Sequence, residues 1–560
     1  MQTMQSLMCA GAMTLLAVAA FGQSGGTPTF DAADVHVSPK APNTFMRSSP
    51  PRNGRYEIKN ATMLDLVRTA YGFNPDTILG GPNWLELDRF DVIAKIAAGT
   101  DTDAQKAMLR SLLEERFKLV ARAETKPVPT WVLTAGKQPR LKEGDGSGQT
   151  GCRIPDASSG PPQEGGLRLF RSEPDGKQSQ IVLGPGGVVQ YSCRNMTMAA
   201  FAAEFRRMLG VQVGPEPVID ETGLKGAWNF DVRWSIGLPL PNQGEQVPVA
   251  DAIDKQLGLK LEQRPIPKQV LVIESVSRAP TPNAANIAEV LPAPPVAKEF
   301  EVADVKLAAP PSPTQPPQMI MMQMQPGGRF TCRGCPMRLL LSRAFNSNNS
   351  ELLAGLPAGI DSLRVDVIAK TSSDADAGPG IDSAVIAPLL RNLLADRFKM
   401  KFHEEERPVT AYSLIAAKPK LKKADPDSRI FCRRGQAAPG SPPGSQTVTC
   451  QNATMALFVE QLQGTPGLNW PVLDATGLEG AWDFSLTYSI FPAALLNAGG
   501  RGGPSGGEPQ SGALPSASDP SGGYTIFEAI EKQLGLRLKA EKRNEKVIIV
   551  DHMETTPTEN

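Results

Sequence analysis

The sequence predicts an α+β fold: tandem duplicated units, each of two small βαβ-type modules with helices packed on one face of a short sheet. Three observations predict it. At 560 residues the chain exceeds what one hydrophobic core accommodates. It aligns with itself in order: "FDAADVHVSP" at Phe30 with "FEVADVKLAA" at Phe300, and "MLRSLLEERFKLVARAETKPV" at Met108 with "LLRNLLADRFKMKFHEEERPV" at Leu389. "VIDETGLKGAWNFDVRWS" at Val218 then matches "VLDATGLEGAWDFSLTYS" at Val472, and "DAIDKQLGLKLE" at Asp251 matches "EAIEKQLGLRLK" at Glu528. Finally, short β-branched runs alternate with amphipathic stretches inside each copy.

The repeat sets the expected boundaries. An export signal over residues 1–22 precedes unit 1 at 27–280, with modules at about 30–145 and 186–280. A Pro/Ala-rich linker at 281–297 leads to unit 2 at 298–555, with modules at about 298–425 and 446–555.

The first module of unit 1 reads as strand "GRYEIKN", helix "MLDLVRTAYGF", the stretch "GGPNWLELDRFDVIAK", helix "AQKAMLRSLLEERF", and strands "KLVARAET" and "WVLTAG". The second follows the same order, from "VVQYSCRN" and "MAAFAAEFRRML" to "LKLEQRP" and "QVLVIESV", so four versions of one module emerge. The triplet Asn-x-Thr recurs at Asn60, Asn195 and Asn452. Thr62, Thr197 and Thr454 stand where a strand yields to a helix, and each hydroxyl can accept from a free N–H of the first turn; Asp65 adds a capping-box carboxylate. The triplets also fit glycosylation acceptors, but capping is the reading adopted.

Gly258 and Gly535 in "KQLGL" supply the left-handed residue that ends a helix. Ile253, Leu257 and Leu259 recur as Ile530, Leu534 and Leu536, an apolar stripe suited to a sheet face. Trp84, Trp228 and Trp482 read as core aromatics.

Composition narrows the function classes. Lys+Arg 58 balance Asp+Glu 58, and no basic block tracks a phosphate backbone, so nucleic acid is not an expected partner. The apolar run from Leu7 to Phe21, followed by small residues, fits an export signal although it lacks a preceding Lys or Arg. No later run reaches the roughly 18 apolar residues that span a bilayer, so a periplasmic or secreted product with no transmembrane segment in the mature chain is expected.

Loss of the signal removes Cys9 and leaves an even set: Cys152, Cys193, Cys332, Cys335, Cys432 and Cys450. Cys193 and Cys450 share one repeat position, and Cys152 and Cys432 both lie in the irregular segment upstream, so the expected pairs are Cys152 with Cys193 and Cys432 with Cys450. "TCRGCPM" places Cys332 and Cys335 at a helix start, where a helix terminus lowers a thiol pKa; the alternatives are a local structural disulfide and a redox pair.

No catalytic, cofactor-binding or metal-binding residues are assigned. His36, His403 and His552 lie far apart without metal spacing, and no phosphate loop or dinucleotide fingerprint occurs; "GPGG" at Gly184 lacks the helix context. Asp220, Glu221 and Asp474 in the "D-x-TGL" motif read as turn residues.

"YSCRNMTMAAFAAEFRRMLGVQV" followed by "VPVADAIDKQLGLKLEQRPIPKQVLVIESV" resembles the short N-terminal module of secretins and TonB-dependent receptors. That resemblance implies extracytoplasmic protein contact. Over nearly its whole length the chain is similar to a large exported bacterial family of unknown function, expanded in soil bacteria. Its hallmarks stand here as "FEVADVK", "RFKL" and "RFKM", "DETGLKGAWNF" and "DATGLEGAWDF", and "LGLRLKAEKRNEKVIIVDH". The expected function is a non-enzymatic binding or assembly protein with an envelope or extracellular protein partner; the alternative is a thiol–disulfide oxidoreductase using Cys332 and Cys335.

Overall fold

The computed structural model describes residues 27–558 except 40–44, 155–166, 173–177, 185–187, 210–216, 236–246, 293–296, 309–321, 326–327, 348–349, 372–382, 437–440, 442–444, 466, 469 and 490–523. The signal segment lies outside the described residues.

The fold is mixed α+β. In unit 1 the strands are β1 (Ala32–Val37), β2 (Arg47–Arg52), β3 (Arg55–Thr62), β4 (Ile78–Gly80), β5 (Arg89–Lys95), β6 (Val120–Ala135), β7 (Lys142–Glu143), β8 (Gly151–Arg153), β9 (Leu167–Ser172), β10 (Gln178–Leu183), β11 (Val188–Met196), β12 (Ile219–Glu221), β13 (Trp228–Ser235) and β14 (Leu259–Ser275). Helices α1 (Met63–Tyr71), α2 (Thr102–Phe117), α3 (Met198–Leu209) and α4 (Val249–Ala252) are interspersed; α4 continues as a π-turn through Ile253–Leu257. Three four-stranded sheets result, in the orders β1-β5-β3-β2, β4-β14-β6-β12 and β7-β13-β11-β8, beside the hairpin β9–β10.

Unit 2 repeats the three sheets strand for strand. β15 (Val302–Leu307), β16 (Met322–Gln325), β17 (Arg329–Pro336), β18 (Leu353–Ala354), β19 (Arg364–Lys370) and β20 (Lys401–Ala416) are followed by β21 (Lys422–Lys423), β22 (Phe431–Gln436), β23 (Ser445–Ala453), β24 (Val472–Asp474), β25 (Trp482–Ser489) and β26 (Leu536–His552). Their orders are β15-β19-β17-β16, β18-β26-β20-β24 and β21-β25-β23-β22. Helices α5 (Met337–Ala344), α6 (Ser383–Arg397), α7 (Met455–Leu462) and α8 (Ile526–Ala529) occupy the matching places.

The caps follow the sequence logic. Thr62 accepts from the Asp65 N–H while the Asp65 carboxylate accepts from the Thr62 N–H, closing a capping box. The Thr197 and Thr454 hydroxyls accept from the Ala200 and Leu457 N–H groups. Gly258 and Gly535 close their helices with φ of 65° and 66°. A Cβ on Gly258 would also lie 2.2 Å from the Gln138 carbonyl oxygen, so no other residue fits there.

One feature of each unit departs from the sequence reading. "KLVARAET" and "WVLTAG" are not two strands closing the first module; they fuse into β6, and the last two strands of the second module fuse into β14. The two pair antiparallel from Leu259↔Ala135 to Ser275↔Val120. The far end of β14 gives Leu271 and Ile273 to the core of the first half, while Leu133 of β6 enters the core of the second. Each half is thus completed by a strand from the other. At the ribbon's centre Pro127 faces Pro267 and Pro129 faces Pro265, where neither strand has a further neighbour among the described residues. Proline is tolerated there because its missing N–H would point off the sheet edge, and it blocks pairing with another strand.

The repeat also runs past β14. Ser277 and Thr281 donate their N–H groups to Phe117 and Arg116 carbonyls, as Glu554 and Thr558 do to Phe398 and Arg397. Buried Arg116 further binds Thr281 Oγ1 at 3.0 Å and Asn283 Oδ1 at 2.6 Å, so the start of the Pro/Ala-rich segment is held against unit 1.

Candidate docking site between the repeats

The Asn-x-Thr triplets build the loops that form this site. In each of four strands a β-bulge places one residue at positive φ: Asn60 at 58°, Asn195 at 47°, Gly334 at 57° and Asn452 at 47°. Asparagine and glycine are the residues that accept this conformation at least cost. The backbone N–H of each is held by a side-chain oxygen of the neighbouring strand: Asp91 at 2.8 Å, Asn229 at 2.8 Å, Asp366 at 2.6 Å and Asp483 at 2.9 Å. The Asn60, Asn195 and Asn452 side chains are buried, and each amide donates to a loop carbonyl: Phe45 for Asn60, Ser147 for Asn195, and Pro426 and Ser428 for Asn452. Burial with the amide nitrogen committed argues against the glycosylation reading.

Asn452 therefore shapes the loop Pro426–Ser428, and the residues that follow reach across to unit 1. The Ile430 N–H donates to the Asn83 carbonyl at 2.8 Å, and Asn83 Nδ2 returns a bond to the Pro426 carbonyl at 3.0 Å. Arg429 Nη2 donates to the Ile78 and Gly80 carbonyls on the edge strand β4, at 3.2 and 2.9 Å. Arg433 grips Glu86 through Nε at 2.8 Å and Nη2 at 2.6 Å, a two-pronged pairing. Asp76 approaches Arg433 Nη1 at 3.5 Å, and the Arg433 guanidinium lies 4.5 Å from the centre of the Phe431 ring.

The Glu86 side chain is only 10% exposed and that of Arg429 19%. Burial lowers the pKa of Arg429, with the neighbouring Glu86 charge opposing that shift. At Arg433 burial acts in the same sense, but the hydrogen bond and charge of Glu86 outweigh it and raise the pKa. Both guanidinium groups stay charged near neutral pH, so the contact is a desolvated ionic cluster whose loss of one partner would strand the others.

The structure joins Cys152 to Cys193 and Cys432 to Cys450, each pair directly opposite in register across adjacent strands, with Cα separations of 4.0 and 4.1 Å. The bridges fasten β8 and β22, and with them the loops leading into those strands, to the bulged strands. Cys332 and Cys335 are also bonded. They flank the bulge of β17 at the positions of Ile58 and Ala61, and all four residues are fully buried. A thiolate needs access to exchange, and this pair sits in the core beneath α5.

The remaining sequence candidates fall into separate local roles. Trp84 is buried, and Trp228 and Trp482 pack against the cores of the second halves. Asp220 accepts from the Thr222 N–H and hydroxyl, and Asp474 from those of Thr476, which makes both turn residues. Glu221 pairs with Arg264. His36 lies between Asp34 at 3.2 Å and Asp91 at 3.7 Å, His403 beside Asp551 at 2.9 Å, and His552 near Glu554 at 3.9 Å. Ser38 bonds Asp91, not His36, so no Ser-His-Asp relay forms in that group. Among the described residues no group of three His, Cys, Asp or Glu is placed to hold a metal, and no helix is long and apolar enough to cross a membrane.

Sequence reading missed Arg429, Arg433, Asn83 and Glu86. The only available signal was divergence between the copies: unit 1 carries Gln149 where unit 2 carries Arg429.

Fold and site together define a class: a duplicated α+β protein, stapled by disulfides, whose copies dock through an ionic contact. The family model described as "Protein of unknown function (DUF3738)" matches residues 38–276 and again residues 338–553, and the chain belongs to that family, carrying its domain twice. No curated protein and no solved structure matches the chain.

Proposed function

We propose that the chain is an exported, non-enzymatic binding or assembly protein whose working surfaces are the loops and sheet edges of its modules. One observation carries this reading: the partly buried polar cluster of Arg429 and Arg433 with Glu86 is a surface of one copy recognising a surface of the other. A module that docks on its own relative has the shape, rigidity and charge placement to dock on another protein. The disulfides fit an oxidising compartment, and the apolar run in residues 1–22 supplies a route there. The resemblance of the second halves to secretin and TonB-receptor modules supports an envelope or extracellular protein partner.

Burial of Cys332 and Cys335 weighs against the oxidoreductase alternative. The test uses the mature full-length chain as bait in envelope extract, beside an insulin-reduction assay of the wild type and Cys332→Ser. Saturable capture of a protein partner, with background insulin reduction by both proteins, is the expected result. Small-molecule turnover without any protein partner, or thiol-dependent reduction lost in Cys332→Ser, would reverse the reading.

A further inference from the structure

The contact between the repeats joins two different surfaces of the same unit. Unit 2 contributes its loop 426–433; unit 1 contributes the acceptor formed by Asp76, β4, Asn83 and Glu86. Because the copies share one architecture, the chain also carries a second loop, 146–153 in unit 1, and a second acceptor, 351–361 in unit 2. Neither is used in the first contact. A head-to-tail interface between repeated units leaves one surface of each kind open at the two ends.

The open surfaces keep the loop scaffold, the outer strand and one pairing of opposite charges. Alignment through the paired cysteines sets Arg153 opposite Arg433 in the repeat and Gln149 opposite Arg429; alignment through β4 and β18 sets Asp361 opposite Glu86. Residues 145–150 and Arg153 are exposed, as are Ala358, Gly359 and Asp361, whereas Arg429, Ile430 and Arg433 in the engaged loop are partly buried. The Asp361 side chain is 71% exposed and bonds Arg338. β18, like β4, is the outer strand of its sheet. The backbone pairing seen between Ile430 and Asn83 requires no particular side chain, so Thr150 and Ala358 can repeat it. Gln149 keeps one amide donor for the carbonyls that Arg429 binds, and Cys152–Cys193 braces the loop as Cys432–Cys450 does in unit 2.

From this we infer that a second copy of this chain is the occupant: loop 146–153 of one molecule docks on residues 351–361 of the next, with Arg153 on Asp361, in a head-to-tail array. This rests on the binding and assembly reading and names the partner. Replacement of Arg429 by Gln149, and of Asn83 by Ala358, makes the contact between molecules weaker than the one within the chain.

The test is sedimentation velocity of the mature full-length chain across a wide concentration range. Wild type is expected to gain mass with concentration, and to lose it in high salt. Arg153→Glu and Asp361→Arg should each weaken association by at least about tenfold, and the double variant with the charges exchanged should recover it. Both positions are exposed, and circular dichroism checks that each variant folds. Wild type that stays monomeric at every concentration, or association indifferent to all three variants, overturns the inference. A monomeric chain that still captures an envelope protein would overturn this inference alone and leave the binding reading standing.

Discussion

Loops 145–153 and 425–433 descend from one ancestor sequence and carry the same disulfide, yet they live in different surroundings. The first is exposed along most of its length; in the second, Arg429, Ile430 and Arg433 are half-buried against unit 1. Both are held by the same device, a buried left-handed asparagine whose amide grips the loop carbonyls. The difference lies in the side chains presented: two arginines in unit 2, one arginine and a glutamine in unit 1. Scaffold and recognition are thus separable in this fold. The bulge and the disulfide set where the loop goes, and a few exposed positions set what it meets.

Breaking the scaffold should cost most. Cys432→Ser with Cys450→Ser opens a link of sequence separation 18 and is expected to cost about 3 kcal/mol in the chain-entropy model. The same change at Cys152 and Cys193, separation 41, should cost about 4 kcal/mol while leaving the contact between the repeats in place. Thermal unfolding of the oxidised proteins measures both, and equal loss of the repeat contact in the two variants would contradict the separation of roles.

Breaking recognition comes next. Glu86→Ala leaves Arg429 and Arg433 partly desolvated without their anion and should destabilise by roughly 2 to 3 kcal/mol, discounted for the exposure of Arg433. The matching change in unit 2, Asp361→Ala, removes an exposed pairing with Arg338 and should cost less than about 0.5 kcal/mol in the monomer. Melting temperatures of the two variants at low protein concentration decide it; a larger drop for Asp361→Ala would refute the asymmetry. Arg429→Gln, which writes the unit 1 residue into unit 2, should fall between them at about 1 to 2 kcal/mol through loss of the carbonyl bonds to β4.

A further small effect separates the acidic residues Asp76 and Glu351, which occupy one repeat position. Asp76 faces Arg433 across the repeats, whereas Glu351 turns inward. Burial raises the Glu351 pKa, but bonds from Thr410 and Lys542 outweigh it and hold the folded value below 4.5. A depressed folded pKa stabilises above the unfolded value and is lost as pH falls through the folded one. Glu351→Gln should therefore be less stable than wild type by at most about 1 kcal/mol at neutral pH, with the gap closing below pH about 4. A gap that persists unchanged at low pH would show that the charge of Glu351 contributes nothing.

Much of the local structure was legible in the sequence because it depends on neighbours in the chain. Thr62, Thr197 and Thr454 cap the helices that follow them, and Gly258 and Gly535 end theirs, since a cap is satisfied within three or four residues. The asparagines beside those threonines belong, in sequence, to a triplet that fits a helix start or a glycosylation acceptor. Their role needs a carboxylate or amide oxygen about 31 to 34 positions away on the next strand, which no local pattern reveals. Pro127 and Pro129 made β6 look like two strands, because proline breaks a ladder unless its edge is open, and whether an edge is open is a property of the assembled sheet.

By itself the sequence determined that one unit was copied, that each copy alternates capped helices with β-branched strands, and that cysteines recur at matching places. Those features follow from periodicity, turn chemistry and alignment, all of them short-range. Only the tertiary structure decided that β6 and β14 cross between halves, that the sulfurs of Cys332 and Cys335 lie in the core, and that Arg429 and Arg433 meet Glu86. Such outcomes depend on which surfaces the folded chain brings together, in the last case across 347 residues, where charge and burial act through space and leave no periodic trace.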